Sequence, residues 1–571
     1  MSLLDWGVLV GTLAFIAFYG IWKTRGSRNI EGYLKGNNSE KWWTICLSIM
    51  ATQASAITFL STPGQAYEDG MRFLQFYFGL PIAMVIIAIS FIPIYYRLKV
   101  YTAYEYLESR FDLKTRTLAA LLFLIQRGLA AGITIYAPAI ILSSILGWNV
   151  NTTSILLGLV VIIYTVSGGT RAVSVTQTQQ MAVMMGGMIV AGIIIINMLP
   201  PEVSFYDAVQ VAGKMNKLNL INFSFDWNDR YNVWSGVTGG LFLFMSYFGT
   251  DQSQVARYLS GRSVTESRLG LLFNGLLKIP MQFIILFIGI MVFVFYQFVQ
   301  PPVFFNKVEK ERLYETAYAG NLIQLETEHN ANFKEKSRAV KDMLVGIRNE
   351  DEGAINNARE KLKGIEAQGK AIRTEVKGLL QKANPKAEVK DTDYVFITFV
   401  MQYMPTGIIG LLLAVIFCAS MSSTSSELNA LASTTVIDIY KRSVRQVGLD
   451  SHYLKASKLL TVIWGSFAIL FATLASRMEN LIQAVNILGS LFYGTILGIF
   501  VVGFYLKSIK ANAVFWAALL AEAIVIITFT TTDIGFLWLN PIGCLLVISL
   551  SFFFQLVLPQ KQEVERAKSA L

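Results

Sequence analysis

Between Cys418 and Ser426 the chain reads Cys-Ala-Ser-Met-Ser-Ser-Thr-Ser-Ser, a run of hydroxyls inside a segment otherwise apolar and long enough to cross a bilayer. In hydrocarbon each hydroxyl needs a polar partner. Positions i, i+3 and i+4 of a helix share a face, so the Ala419 carbonyl and the Ser422 and Ser423 hydroxyls converge on one point. All-oxygen ligands suit a small hard cation, and the geometry suggests sodium. The alternative is that these hydroxyls bond back to the preceding turn or mediate helix packing. The density of the cluster favours the ion.

Two charges lie in comparable surroundings. Arg127 sits inside an apolar span, where a central arginine costs about 2.5 to 3.5 kcal/mol on the insertion scale, so it must face a cavity or a partner. It either contacts an anionic solute or is paired structurally. Glu427 follows the serine cluster by one turn and either pairs with a cation or carries a proton, which keeps proton coupling open. Two spans are interrupted by small and polar residues. The second runs Met50-Ala51-Thr52-Gln53-Ala54-Ser55-Ala56-Ile57-Thr58, with Ser61, Thr62, Pro63, Gly64 and Gln65 beyond; the seventh ends Ser246-Tyr247-Phe248-Gly249-Thr250-Asp251. Unwound helices of this kind free carbonyls for ions and solutes, and two of them five spans apart mark an inverted-repeat carrier.

The elements that position these residues are membrane helices. Hydrophobic residues make up 54% of the 571 and charged ones 15%, against about a quarter charged in soluble domains; mean hydropathy is +0.50. Apolar runs of about 20 residues recur, each able to cross about 30 Å of hydrocarbon. They predict about 13 spans: 4–23, 42–66, 73–97, 118–147, 152–167, 176–198, 232–250, 271–299, 405–436, 457–475, 482–506, 512–530 and 535–557. The first is expected to stay as a helix, since no basic residue precedes it.

The net charge of +10 does not signal nucleic acid, because the basic residues cluster in alternate short loops. They are Lys23, Arg25 and Arg28; Arg97, Lys99, Arg110, Lys114 and Arg116; Arg171; Arg257, Arg262 and Arg268; Lys441, Arg442, Arg445, Lys455 and Lys458; and Lys507 and Lys510. The positive-inside rule then puts the N-terminus outside and the tail from Lys561 to Lys568 inside. Pro301 to about Asp393 is charge-rich and hydrophilic, predicting external helices that form a surface hairpin or, alternatively, bind a protein partner or act as a lid. Pro200 to Asp229 predicts a short external cap. Cys46, Cys418 and Cys544 fall within spans, and His329 and His452 in loops, with no metal or disulfide spacing. No nucleotide-binding loop or nucleophile elbow is present, so an enzyme reading has no residues behind it.

In this order, Thr102 to Phe111 (TAYEYLESRF), Tyr136-Ala137-Pro138-Ala139, Tyr164 to Val173 (YTVSGGTRAV), Thr250 to Leu259 (TDQSQVARYL) and Gly489 to Gly494 (GSLFYG) resemble the sodium/solute symporters, the family of sodium/glucose, sodium/monocarboxylate, sodium/iodide and sialic-acid transporters. The resemblance covers nearly the whole chain apart from the insert. It implies an all-α polytopic protein of the leucine-transporter fold, five helices repeated in inverted orientation as spans two to six and seven to eleven. The expected divisions are a peripheral helix and loop (1–41), the first repeat with its cap (42–231), the start of the second (232–300), the external insert (301–398), the rest of the second repeat (399–511) and peripheral C-terminal helices (512–571).

The resemblance also implies a sodium site at Ala51, Ala54, Ala419, Ser422 and Ser423, a gating role for Tyr247, and symport of a small polar solute (a sugar, an acidic sugar or a monocarboxylate) in a plasma membrane of bacterial type. Many relatives carry Thr-Asp after the Gly-Gly motif, and in some that Asp serves a second sodium. Here the pair is Thr176-Gln177, and a neutral amide predicts a single coupled sodium. Gln177 and Glu427 are thus the candidates for a second ion or proton site. Ser55, Thr58, Gln65, Gln75, Arg127 and Tyr247 are the candidate solute liners, with Gln65 and Gln75 open to an alternative reading as interhelical hydrogen-bond partners. A proton-coupled or uncoupled carrier and a transporter-like receptor remain the rival functions.

Overall fold

The computed structural model describes residues 1–24, 39–385, 387, 389–474 and 481–558. Arg25, Arg28 and the tail from Lys561 to Lys568 lie outside the described residues, as do the side chains of Lys23 and Arg171 and most of those of the Tyr164–Val173 motif. Among the described residues the protein is helical, with one isolated bridge between Glu40 and Gly261. Nine helical stretches there are long and apolar enough to cross a membrane, and Leu3–Ile16 and Val150–Ile163 are shorter apolar helices.

Both predicted interruptions are present. The first broken helix consists of Trp42–Gln53 and Ala56–Asp69, separated by Ala54 and an extended Ser55 at φ −74°, ψ 172°. Small residues permit this break without exposing backbone to lipid, because both halves pack against the helices Val264–Phe298 and Ile408–Thr434. Gly289 lets the former approach the Pro63 carbonyl so closely that no Cβ would fit. The second broken helix, Gly240–Gly249 and Gln252–Leu259, is divided at Thr250 and Asp251, and the Asp251 carboxylate caps the second half through the Ser253 N–H at 2.9 Å. An acidic cap there satisfies an orphan amide and complements the helix dipole.

One expectation is corrected. The predicted fifth and sixth spans, 152–167 and 176–198, form one continuous helix, Val150–Asn197, of 48 residues. No proline lies between those ends, so no backbone donor is missing. The Gly168-Gly169 pair costs only about 1 kcal/mol per glycine, too little to break a helix with apolar flanks. At about 1.5 Å per residue this helix is more than twice as long as the hydrocarbon is thick.

The hydrophilic insert forms a hairpin, Ala319–Arg348 and Glu352–Ala383, preceded by Lys307–Leu313. It has its own small core of Val303, Phe304, Leu313, Leu322, Leu325, Ile372, Val376 and Leu380. Its turn docks on the cap helix Phe205–Lys214: Arg348 pairs with Asp207 at 2.7 Å and Lys214 with Glu352 at 2.8 Å.

Candidate functional site

The helix Ile408–Thr434, which carries the serine cluster, runs directly past the first break. Ser422 Oγ donates to the Ala51 carbonyl at 3.2 Å; Ser423 Oγ lies 3.5 Å from the same oxygen and 3.1 Å from the Thr52 carbonyl. Ala51, Ala54, Ala419, Ser422 and Ser423 are all buried. Ala54 closes the first half of the broken helix, its N–H on the Met50 carbonyl at 2.8 Å. Carbonyls and neutral hydroxyls from two elements therefore face one another across a buried contact, a donor set matched to a monovalent cation. Part of the cluster does bond locally, since Ser425 and Ser426 both donate to the Ser422 carbonyl, at 3.1 and 2.9 Å. Among the described residues no group of three His, Cys, Asp or Glu is placed to hold a metal.

Gln177 reaches into the same cluster. Its amide nitrogen lies 3.0 Å from each of Thr52 Oγ1, Ser422 Oγ and Ser426 Oγ, while its oxygen accepts from Ser48. The three hydroxyl protons point elsewhere: Thr52 donates to the Ser48 carbonyl at 2.8 Å, Ser426 to Ser422 and Ser422 to Ala51. Three lone pairs are thus aimed at one nitrogen that has only two hydrogens to offer.

Beside the first break lies a cavity of about 90 Å³ whose walls include Thr52, Gln53, Ser55, Thr58, Tyr77, Arg127, Thr134, Tyr247, Glu427, Asn486 and Tyr493. Ser55, Thr58, Arg127 and Tyr247 from the predicted set are among them, whereas Gln65 and Gln75 are not. Gln75 is a correction: its amide donates to the Tyr231 carbonyl at 3.0 Å and its oxygen accepts from the Asn222 N–H at 2.8 Å, pinning the loop that carries both. Gln65 donates to Asp69 and accepts from Gln483 at 3.3 Å, an interhelical bridge above the cavity.

Arg127 is not free to greet an anion. Its guanidinium pairs with Asp251 and, at 3.1 Å, with Glu427, and it donates to Tyr493 Oη at 2.6 Å. Tyr247 lies with its ring centre 5.3 Å from the guanidinium carbon and accepts from Gln254 at 2.6 Å. Two carboxylates face one arginine, so formal charge leaves the cluster negative. Glu427 Oε2 is buried without a protein partner. Asp251 and Tyr493 were not singled out as site residues, although both stand in the quoted motifs. The signal was an acidic residue at the break of the seventh span.

A family model described as the sodium:solute symporter family matches residues 33–310 and 376–521. The sodium/iodide cotransporter of Homo sapiens is 26% identical over 529 residues, spanning 89% of this chain and 67% of that protein. The sodium/sialic acid symporter SiaT of Proteus mirabilis is 25% identical over 567 residues, spanning 98% and 96%. A solved structure of a Na+-coupled sialic acid symporter in a substrate-bound outward-open state aligns with a TM-score of 0.75 at 22% identity, covering 98% of both chains. At that identity the likeness speaks for the fold. The family match skips residues 311–375, most of the helical hairpin.

Proposed function

The chain belongs to the sodium:solute symporter family, and on that premise we propose that it is a sodium-coupled symporter importing a small polar organic solute, a sugar, an acidic sugar or a monocarboxylate, by alternating access. The observation that carries this reading is the convergence of the Ser422 and Ser423 hydroxyls on the carbonyls of Ala51 and Thr52 at the break of a membrane helix. A sodium ion seated among Ala51, Ala54, Ala419, Ser422 and Ser423 holds the first broken helix against the serine helix. That fixes the wall containing Ser55 and Thr58 in the form that receives solute. Both cargoes leave when the two halves rock apart. Membrane potential contributes about 2.3 kcal/mol per charge per 100 mV. The family is one of transporters, and coupling by differential affinity requires no covalent chemistry.

The solute sits between Tyr247 and the first break. A carboxylated solute reaches Arg127 by displacing Glu427, the longer of its two ion pairs. A proton-coupled carrier is the second reading, and the unpartnered Glu427 Oε2 facing the cavity is the observation that favours it. The chain is a multi-pass membrane protein. We assign it to a bacterial inner membrane with the N-terminus and insert outside and the C-terminus inside, an orientation that counts 152–167 and 176–198 as two crossings; it is supported by the basic residues of the short loops other than Arg171 and by a bacterial relative matched along nearly its whole length. Its partners on this reading are the solute, sodium and lipid, with the insert available to a protein at the outer face.

The test is uptake into proteoliposomes of sugars, sialic acid and small carboxylates under an inward sodium gradient, with choline in place of sodium and with Ser423→Ala. The expected result is accumulation that needs sodium and collapses in the variant. Uptake indifferent to both would remove the sodium site and leave the proton-coupled or uncoupled carrier.

A further inference from the structure

The hairpin that the family match omits borders an open cleft of about 470 Å³, between itself and the outer end of the first broken helix at Tyr67, Glu68 and Asp69. Lys217, Lys336, Lys370, Arg373 and Lys377 line it against Glu68, Asp69 and Glu366, so bases outnumber acids. The acids do not neutralise the bases evenly. Arg373 and Lys377 share Asp391, at 2.6 and 3.3 Å. Lys336 has Glu366 at 3.7 Å, and Asp69 already accepts from Gln65. Lys217 is held by backbone oxygens, the Tyr67 and Glu68 carbonyls at 2.9 and 2.5 Å.

Lys217 and Lys336 also share one ring, their ammonium nitrogens 4.7 and 5.8 Å from the centre of Phe293. Cation–π contact eases the burial of each but does nothing for their mutual repulsion. Burial lowers the Lys217 ammonium to about 8 and lowers that of Lys336 as well. The third feature is His329, 8% exposed and in the same wall. Its Nε2 faces the Pro301 carbonyl at 3.1 Å and so must donate, which leaves a buried Nδ1 with no protein partner. Two half-buried ammoniums on one wall are donors for an oxyanion, and Nδ1, an acceptor while Nε2 donates, joins them by taking up a proton, which the charge of a bound anion favours.

We propose that the insert builds a vestibule site which binds the carboxylate of a small solute at Lys217, Lys336 and His329 before it enters the central cavity. The route inward is short. Asp69 of this wall bonds Gln65 one turn deeper, Gln65 bonds Gln483, and the neighbouring Ile482 lines the central cavity. Its role as an entry station rests on the symport reading, but the site uses no residue of the sodium cluster, so carboxylate binding here is measured apart from sodium coupling.

The test is calorimetric titration of the purified full-length protein with acetate, malonate and inorganic phosphate in sodium-free choline buffer, repeated with Lys336→Gln, Lys217→Gln, His329→Asn and Ser423→Ala. Carboxylate binding without sodium is expected, weakened at least tenfold in Lys336→Gln and in Lys217→Gln, weakened in His329→Asn, and unchanged in Ser423→Ala. Each variant's unfolding temperature shows whether the hairpin has survived, and the loss must recur in a variant that unfolds like the parent. No carboxylate binding in choline overturns the proposal. So does binding that the lysine variants leave intact, or binding of phosphate alone.

Discussion

Replacing Gln177 by Asp tests the assignment of a single coupled sodium. The side-chain amide now stands where three hydroxyl oxygens aim their lone pairs, each 3.0 Å from its nitrogen, and so acts as an uncharged stand-in for a cation. Aspartate is one methylene shorter and supplies only acceptors. The pocket then contains a buried carboxylate and the oxygens of Thr52, Ser422 and Ser426 with nothing positive among them, which costs several kcal/mol unless a cation enters. A second sodium is the remedy available. Across 100 mV and a tenfold sodium gradient it adds about 2.3 kcal/mol of electrical and about 1.4 kcal/mol of chemical driving force. Together, about 3.7 kcal/mol corresponds to roughly a 500-fold higher limiting accumulation of a neutral solute. The assay is the reversal potential of solute-coupled current in proteoliposomes, read with the sodium dependence of uptake. Wild type should give one charge per neutral solute and a Hill coefficient near one, and Gln177→Asp two charges and a steeper dependence. Two sodium ions per neutral solute in wild type would refute the reasoning, as would an unchanged stoichiometry in a folded Gln177→Asp protein.

Other consequences concern charges that the fold holds under tension. Glu427→Gln removes one of the two carboxylates on Arg127, so a carboxylated solute should bind up to about tenfold more tightly, about 1.4 kcal/mol, with a neutral sugar little affected; competition uptake compares the two, and weaker carboxylate binding would show that Glu427 is not the competitor. Arg127→Ala leaves Asp251 and Glu427 buried and uncompensated, a cost of about 3–5 kcal/mol, and adding Glu427→Gln should restore part of the lost thermal stability. Lys278 is fully buried on Val264–Phe298, its ammonium without a protein partner and 5.9 Å from the centre of the Tyr77 ring. Lys278→Met should therefore raise the unfolding temperature, and a clear fall would mean that Lys278 has a partner in the working protein. At the insert, the Arg348 guanidinium, joined by the Ser204 amide and hydroxyl, holds the Asp207 carboxyl at about 2 against an ordinary 3.8. A lowered carboxylate contributes docking energy that is complete above 3.8 and is lost as pH falls through 2. Hydrogen exchange of the hairpin should accelerate across that window in wild type, and Asp207→Asn should abolish the acid dependence.

The parts of this protein that could be read from the chain are those in which one residue type has few physical alternatives. Hydroxyls at helical spacing in an apolar span must find oxygen or a cation, and they face the carbonyls of a break marked by its own small and polar residues. The Asp251 cap shows the same logic, since an acid at an interrupted span satisfies the exposed amides of the half-helix that follows. What could not be read was pairing over long separations. Nothing local to Arg127 says that it will meet both Asp251 and Glu427, 124 and 300 residues away in sequence, and so the chain left an anion anchor and a structural pairing open where the structure has the pairing. Gln75 was read as a solute liner or an interhelical hydrogen-bond partner, and it bonds instead to the Tyr231 carbonyl and the Asn222 N–H of one loop. The apolar runs 152–167 and 176–198 were read as separate spans, yet the chain between them continues as helix, because glycine weakens a helix without removing a hydrogen-bond donor as proline does. The insert misled in the opposite sense. Its solvated composition read as a surface hairpin, and it is one, but the inner face of that hairpin places Lys336, Arg373 and His329 against the outer end of the broken helix. Amphipathic periodicity identifies such a face without naming what it covers. On the vestibule proposal it covers the solute's way in, and charge on the hairpin should then change solute capture and leave sodium stoichiometry alone.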